Sequence, residues 1–301
     1  MPTRRSFLLT AATGATSSLL ASENRDWIDA HVHVWPALSD RYPVADGVDA
    51  TKMKPASFTP EVVLGHARPE GVSRMVLIQM SYYRTDNRYM LDAIAAHSGV
   101  FRGVAIVDEL RPDLAEVVMD LRSKGVRGFR ISPGSKKPEE WLGSSGMRSL
   151  WKIAAAQKMA ICPLVRAEVL PALDGMCEEL PETTVVVDHF GLVGVKGTPT
   201  AEDVLPLTRL ARHANTHVKT SAFYALGLKK VPYTDLGTMI RACRDAFGAH
   251  RLMWATDCPY QVQNGHSYRD SIALIRDRLD FLTQAEKIDI LRSTAERVFF
   301  A

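Results

Sequence analysis

Eight short apolar runs alternate with helix-period segments along this chain, and that alternation limits the possible folds more than any other feature. The runs are rich in β-branched residues and are bounded by glycine, proline or polar residues. They cover residues 27–35, 73–81, 101–108, 126–133, 159–166, 183–191, 217–224 and 252–260. Between two of them, PDLAEVVMDLRSKG has apolar positions at helical spacing and ends at Gly125. Strands this apolar are typical of a parallel sheet covered by helices.

The length of the chain fits a closed arrangement of these units. Eight strand–helix units in about 280 residues match the size of a single-domain (β/α)8 TIM barrel of the α/β class. An open doubly wound sheet is the alternative with the same alternation. Because no linker, composition break or repeat divides the chain, we predict one barrel domain over residues 23–301.

Residues 1–22 are predicted to be an export signal. Arg4 and Arg5 are followed by Phe7 and Leu8, and then by an Ala/Thr/Gly-rich run that ends near Ala21. This order is typical of a twin-arginine signal, and the run is too short and too polar to span a bilayer. A disordered basic tail is the alternative, since there is no clean A-x-A cleavage site. We expect an exported, periplasmic protein without a membrane anchor.

Charge and cysteine spacing exclude some classes of partner. The net charge of +3 is spread along the chain without a basic stripe, so nucleic acid is not expected as a partner. The four cysteines form no C-x-x-C pair, which excludes zinc-ribbon and thioredoxin-like sites. Export would permit a disulfide, but nothing in the spacing indicates one. The sequence does not indicate an oligomeric state.

The first predicted strand carries two histidines near its end, where the active sites of TIM barrels lie. His31 and His33 are two residues apart, so they face the same way with Cα atoms roughly 6.6 Å apart. Two imidazoles placed in this way can converge on one ion or on one substrate oxygen. Asp29 shares their face one layer deeper, where it could orient an imidazole.

Two further strand ends carry groups of the same kind. The sixth strand closes with His189, and the eighth closes with Asp257. A carboxylate at the end of an apolar run is costly unless it is paired, bound to a metal or catalytic. Taken singly, a strand-end histidine is often structural and a strand-end aspartate is often a helix N-cap. Taken together, these residues indicate one shared site.

Arginines at the ends of neighbouring strands suggest an anionic small-molecule substrate. Arg130 closes the fourth strand and Arg166 closes the fifth. A guanidinium is well suited to bidentate recognition of a carboxylate, although each arginine could equally pair with a loop acid. Polar side chains around the second and seventh strands and at the end of the eighth are further candidates for substrate contacts: Gln79, Ser81, Tyr82, Lys219, Ser221, Tyr224 and Tyr260.

The segments that carry these residues resemble the amidohydrolase superfamily, in its amidohydrolase-2 branch. The segments are IDAHVHVW, GVRGFRISPG, VVVDHFG, HVKTSAFY, MWATDCPY and ILRSTAERVFF, and together they span about residues 27–300. The branch contains pyrone dicarboxylate lactonases, sugar-lactone hydrolases and zinc-dependent decarboxylases of aromatic acids. The resemblance implies that Asp257 is the general base or holds the attacking water. It also implies that His31 and His33 bind a metal or polarise the substrate carbonyl.

The chain departs from the family pattern at two places. Metal-dependent members usually carry a further histidine at the end of the fifth strand, where this chain has Arg166. The site could still hold a divalent metal, with Zn²⁺ favoured, through His31, His33, His189 and Asp257, or it could work without a metal. The lactonases usually have Asp-Trp-Pro-His after the eighth strand, and this chain has Asp-Cys-Pro-Tyr ending at Tyr260. That difference leaves the substrate open.

Three hypotheses for function follow. The leading one is a hydrolase that cleaves a lactone or related ester of a carboxylated small molecule, with Asp257 as general base and His31, His33 and His189 activating the carbonyl. The first alternative is a metal-dependent decarboxylase of an aromatic or unsaturated acid. The second is an exported binding protein without catalytic activity, against which the presence of all these groups argues.

Overall fold

The computed structural model describes residues 26–134 and 136–301, so the predicted signal at residues 1–22 lies outside the described residues. Eight parallel strands form one sheet in which each strand pairs with the next along the chain. They are β1 (Trp27–Val32), β2 (Val72–Ile78), β3 (Phe101–Ala105), β4 (Val126–Ile131), β5 (Ala160–Pro163), β6 (Val185–Val187), β7 (Thr216–Thr220) and β8 (Leu252–Trp254). The predicted eight strands and TIM-barrel fold are confirmed.

The strands are shorter than their apolar runs at the carboxyl ends. β8 stops at Trp254, whereas the run continues to residue 260, and β6 stops at Val187, whereas its run continues to residue 191. The chain leaves the sheet at these points because the next residues bend inward. Asp257 has a φ of 67° and His189 a φ of 51°, both in the left-handed region that an extended strand does not use.

The barrel is closed between β1 and β8 just beyond the regular strands. Val32 and Cys258 form a parallel bridge. On either side of it, the amide of His33 donates to the carbonyl of Cys258 at 2.8 Å, and the amide of Asp257 donates to the carbonyl of His31 at 2.9 Å. Closure therefore brings the end of β1 and the segment after β8 into direct contact.

Helices lie between successive strands and cover the sheet. Within residues 26–134 and 136–301, no helix is both long and apolar enough to cross a bilayer. The α-helices are α1 (Pro60–Ala67), α2 (Arg88–Ala96), α3 (Leu114–Ser123), α4 (Pro138–Leu142), α5 (Ser145–Ala156), α6 (Leu170–Glu179), α7 (Ala201–Arg209), α8 (Gly237–Phe247), α9 (Tyr268–Ala273) and α10 (Gln284–Ile288). Three π-helical turns near the carboxyl end of the chain cover Leu274–Arg278, Asp289–Ser293 and Glu296–Phe300.

The core has two parts, as expected for a barrel with an outer ring of helices. The larger part lies between the sheet and the helices and contains large side chains such as Trp151 and Phe247. The smaller part fills the barrel interior with small and branched residues, among them Ala160 and Val186, and includes Phe299 from the last π-helical turn. The interior is therefore a packed core, and groups at the strand ends rest on it.

Candidate active site

His31 and His33 converge at the carboxyl end of β1, as their spacing predicts. Both side chains are buried, with exposures of 0% and 2%. Their Nε2 atoms lie 3.3 Å apart, and the two rings meet nearly edge to face. A histidine pair held this close by one strand presents two ring nitrogens to the same small volume.

Asp257 brings a carboxylate to the same point from the loop after β8. Its Oδ1 lies 3.2 Å from Nε2 of His33 and 3.5 Å from Nε2 of His31. Its Oδ2 accepts a hydrogen bond of 2.6 Å from the hydroxyl of Tyr224. The tyrosine therefore holds the carboxylate so that the other oxygen faces the histidines.

His189 forms a further side of the site. Its Nε2 lies 3.8 Å from Oδ1 of Asp257, and its ring centroid is 4.4 Å from that of His31. Its Nδ1 is 2.7 Å from Oγ of Ser221, a residue at the end of β7. The left-handed backbone of His189 continues through Phe190 and Gly191, and this turn directs the imidazole back over the barrel mouth.

The hydrogen bond between His33 and Ile78 determines which ring nitrogen of His33 is unprotonated and presents its lone pair to the site. Nδ1 of His33 is 2.8 Å from the carbonyl oxygen of Ile78, and a carbonyl oxygen can only accept. Nδ1 therefore carries the proton in the neutral ring, and Nε2 presents a lone pair to His31 and Asp257. Electron-rich atoms this close repel one another unless a cation or a shared proton lies between them.

The donor set fits a divalent metal ion. Among the described residues, one ligand atom each from His31, His33 and Asp257 forms a group in which all atoms lie within 4.8 Å of one another. A tetrahedral zinc site with bonds of about 2.1 Å places its ligand atoms roughly 3.4 Å apart. The three separations of 3.2, 3.3 and 3.5 Å agree with that value. Three protein ligands also leave one coordination position open, as catalytic zinc sites do.

The pKa values of His31, His189 and Asp257 all lie below their usual values. Burial lowers the pKa of His31 well below its usual value, and the charge of Lys219 adds to that effect. Burial also lowers the pKa of His189. Burial alone would raise the pKa of Asp257, but the neighbouring His189 and the hydrogen bond with His33 outweigh it and hold that pKa below the usual range. At neutral pH the carboxylate is therefore charged.

A buried ion pair lies beneath the histidines, and its role was missed at the level of sequence. Nζ of Lys219 on β7 is 2.9 Å from Oδ1 of Asp188, the residue that follows β6, and neither side chain is exposed. The sequence suggested Lys219 as a polar substrate contact around the seventh strand, whereas in the structure its ammonium group is buried within that strand and pairs with Asp188. The signal that could have found the pair is a lysine inside an apolar strand, next to a strand that ends in an aspartate.

Asp29 does not contact an imidazole, contrary to the expectation from its position on β1. Its buried carboxylate accepts hydrogen bonds from the amides of His31 and Thr256, the hydroxyl of Thr256 and the hydroxyl of Tyr268. These contacts join β1 to the segment after β8 and to helix α9. Asp29 thus supports barrel closure, and through closure the site.

The two candidate arginines occupy different environments. Arg130 lies within β4 and is half-buried, and its charge affects the pKa values of both His189 and Tyr260. In the described part of the chain it has neither an ion pair nor a side-chain hydrogen bond. Arg166 lies three residues beyond β5, is exposed, and lines a separate cavity of about 560 Å³ with Glu168 and residues 192–199. Of the two arginines, Arg130 is therefore the one whose charge is seen to act on residues of the site.

Aromatic residues form one wall of the mouth. The ring centroid of Tyr260 is 6.1 Å from that of His33 and 6.3 Å from that of Tyr224. Tyr82 lies on the same side, with its hydroxyl 3.3 Å from the carbonyl of Lys52, and Ser81 is exposed beside it. Two of the polar candidates have structural partners instead: Gln79 donates to the carbonyls of Arg84 and Asp86, and Ser221 bonds His189.

Comparison with known proteins gives a match to one family along most of this chain, and relatives of moderate sequence identity. The amidohydrolase family profile matches residues 28–301. An L-fucono-1,5-lactonase of Burkholderia ambifaria is 29% identical over 244 residues, covering 79% of this chain and 82% of the relative. A 2-pyrone-4,6-dicarboxylate hydrolase of Comamonas testosteroni is 28% identical over 254 residues, covering 81% of this chain and 80% of the relative.

Solved structures share the fold at lower identity. A probable 2-pyrone-4,6-dicarboxylic acid hydrolase of Acinetobacter baumannii, crystallised with citric acid, has a TM-score of 0.78 at 22% identity and covers 92% of this chain and 100% of that one. An amidohydrolase of Burkholderia multivorans with bound zinc has a TM-score of 0.76 at 20% identity, covering 91% of this chain and 99% of that one. At these sequence identities, the similarity to solved structures shows a shared barrel fold and nothing more.

Proposed function

The chain belongs to the amidohydrolase family, and from its site we propose that it hydrolyses the ring ester of a carboxylated lactone. The observation that carries the proposal is the buried convergence of His31, His33 and Asp257 at the strand ends. The names of two relatives, an L-fucono-1,5-lactonase and a 2-pyrone-4,6-dicarboxylate hydrolase, support ring-ester chemistry. Arg130 supports a carboxylate on the substrate, because its charge acts on His189 and Tyr260 and it has no acidic partner among the described residues.

Asp257 acts in this proposal as the general base. Its Oδ1 faces the volume enclosed by the histidines, and Oδ2 is held by Tyr224. A carboxylate of low pKa is a weak base toward free water. The water becomes acidic as its oxygen bonds to the carbonyl carbon, so Oδ1 accepts the proton during the attack. Asp257 then returns this proton to the ring oxygen as the ester bond breaks.

The other groups orient the substrate and stabilise negative charge. Arg130 binds a substrate carboxylate at the mouth, which fixes the ring carbonyl against the histidines. Nε2 of His189, which lies 3.8 Å from Oδ1 of Asp257, would contact the carbonyl oxygen. The rings of Tyr260 and Tyr224 border the same space and exclude water from one side of a planar ring.

A divalent metal would be held by His31, His33 and Asp257, whose ligand atoms have the separations that zinc requires. When bound, the ion would supply Lewis acidity to the carbonyl and lower the pKa of the attacking water.

The proposal is tested with a panel of substrates and one matched variant. Purified protein is assayed by pH-stat against 2-pyrone-4,6-dicarboxylate, L-fucono-1,5-lactone and an uncarboxylated pyrone. We expect turnover of a carboxylated lactone that falls at least ~100-fold in the Asp257→Asn variant, and circular dichroism is used to verify that this variant is folded. Wild-type activity in that variant would refute the role of Asp257. Release of CO₂ from an aromatic acid, without lactone hydrolysis, would support the decarboxylase instead.

We further propose that residues 1–22 direct export through the twin-arginine route. The support is the order Arg4, Arg5, Phe7 and Leu8 ahead of a moderately apolar run. In a bacterial host, the full chain should appear in the periplasmic fraction, and an Arg4→Lys/Arg5→Lys variant should stay in the cytoplasm. Equal distribution of the two proteins would contradict the proposal.

A further inference from the structure

The two segments that carry Tyr224 and Asp257 are joined by a second set of hydrogen bonds, which the proposed reaction leaves without a role. One segment runs from β7 to α8, and the other runs from β8 to α9. The bond from Tyr224 to Asp257 joins them at the site. Elsewhere, Tyr233 of the first segment bonds both Gln261 and His266 of the second. The contacts of these three residues show what the second link positions.

Tyr233 is the centre of this link and is almost fully buried, with an exposure of 1%. Its hydroxyl oxygen accepts a hydrogen bond of 3.0 Å from Nε2 of Gln261, and the same amide donates to the carbonyl of Ser267 at 3.1 Å. Burial raises the pKa of Tyr233, so the hydroxyl keeps its proton. Nδ1 of His266, at 2.7 Å, is the acceptor for that proton. A buried residue therefore fixes the imidazole of His266.

The imidazole of His266 packs in turn against the ring of Tyr224. The two ring centroids are 6.2 Å apart with an angle of 60° between the planes, which is an edge-to-face contact. Tyr260 supplies a second aromatic neighbour, with its centroid 6.3 Å from that of Tyr224 and its ring nearly parallel. The hydrogen bonds of Tyr233 thus reach Tyr224, and through it the carboxylate of Asp257, by way of one ring.

We propose that His266 is a positioning residue that keeps the hydroxyl of Tyr224 on Oδ2 of Asp257, and that Tyr233 holds His266 in place for this purpose. A hydrogen bond weakens steeply as its donor moves out of line, so a small swing of the Tyr224 ring would release Oδ2. Release of Oδ2 would also free Oδ1 to turn away from the histidines. The consequence for catalysis rests on the proposed function, whereas the placement of the hydroxyl does not.

The hydroxyl proton of Tyr224 reports this bond directly in the metal-free full chain. In protein labelled with ζ-¹³C-tyrosine, its signal is identified by its loss in Tyr224→Phe, since the chain has eight tyrosines. We expect slow exchange with water in the wild type, and exchange at least roughly 10-fold faster in His266→Ala and in Tyr233→Phe, because a hydrogen bond to a charged group is weakened. Fast exchange in the wild type, or an unchanged rate in either variant, would overturn the proposal.

Two comparisons separate positioning from general support of the fold. Tyr89→Phe also removes a tyrosine hydroxyl, but Tyr89 lies on α2 against Tyr42, so the exchange rate at Tyr224 should not change. In His266→Ala/Tyr233→Phe, the rate should match that of His266→Ala alone, because Tyr233 acts only through His266. Faster exchange in Tyr89→Phe, or additive effects in the double variant, would indicate a general loosening of the fold and refute the proposal.

Kinetics of the same variants test the consequence for catalysis. Tyr233→Phe should lower kcat roughly 3–10-fold with KM unchanged, and it should have no further effect in a Tyr224→Phe background, where no hydroxyl remains to be positioned. Equal losses of kcat in the two backgrounds would contradict the positioning role. The exchange measurement uses neither substrate nor metal. Failure of the lactone assay would therefore count against the proposed function and leave the role of His266 standing.

Discussion

Replacing Tyr224 by phenylalanine tests whether this residue serves Asp257 or the substrate. The sequence placed Tyr224 among the substrate contacts, whereas its hydroxyl donates to Oδ2 of Asp257 at 2.6 Å. Burial raises the pKa of Tyr224 far above its usual value, so the hydroxyl stays protonated and remains a donor. Tyr224→Phe removes this one bond and keeps the ring that packs against Tyr260.

The size of the effect follows from the kind of bond that is lost. A hydrogen bond to a charged group contributes about 1.5–3 kcal/mol, and each 1.4 kcal/mol corresponds to tenfold in rate. Without the bond, the carboxylate can rotate so that Oδ1 no longer faces the histidines. We expect kcat to fall roughly 10–100-fold with KM nearly unchanged, because the hydroxyl is already occupied by Asp257.

The assay is steady-state hydrolysis of the lactone found with the substrate panel. Tyr89→Phe is the matched control, since Tyr89 lies on α2 against Tyr42 and away from the site. Thermal unfolding of both variants verifies that they are folded. A Tyr224→Phe variant with unchanged kcat and a raised KM would refute this reasoning and return Tyr224 to the substrate contacts.

Three further predictions concern stability and metal content. Gly128→Ala should destabilise the barrel by about 1–3 kcal/mol, because the new Cβ would lie 2.8 Å from the carbonyl oxygen of Ala160. Gly175→Ala on α6 is the control and should not destabilise the protein, because no atom lies within 4 Å of its new Cβ. Urea unfolding of the two variants measures the difference. Burial lowers the pKa of His217 to about 4. The free energy of unfolding should therefore be unaffected by His217 above pH 6.5 and should fall, by at most about 3 kcal/mol, as the pH is lowered from 6.5 toward 4. A His217→Gln variant that lost as much stability as the wild type over this pH range would contradict this. Dialysis against a chelator should remove a stoichiometric ion and abolish turnover, and a metal-free preparation with full activity would exclude the metal assignment.

The fold and the histidine pair were predictable from sequence because both depend on local patterns. Eight apolar runs specify eight strands, and the two-residue spacing of His31 and His33 places them on one face whatever the exact strand boundaries. Depth within the barrel was not predictable in this way. Arg130 and Lys219 lie within strands, whereas Arg166 lies three residues beyond one. Arg130 is half-buried, Lys219 is fully buried and Arg166 is exposed, although the sequence pattern proposed all three as substrate contacts.

The meeting of residues from different strand ends depends on the backbone at the barrel mouth, which was also not predictable from sequence. His189, Ala222 and Asp257 follow β6, β7 and β8, and all have φ between 51° and 67°. Residues other than glycine adopt this conformation at a cost of order 1 kcal/mol or more, so a local pattern does not predict it. The surrounding structure imposes it, for Asp257 through the bond of its amide to His31 across the closure. The spacing on one strand is thus enough to place His31 beside His33, whereas the contact of this pair with Asp257 depends on closure of the whole barrel.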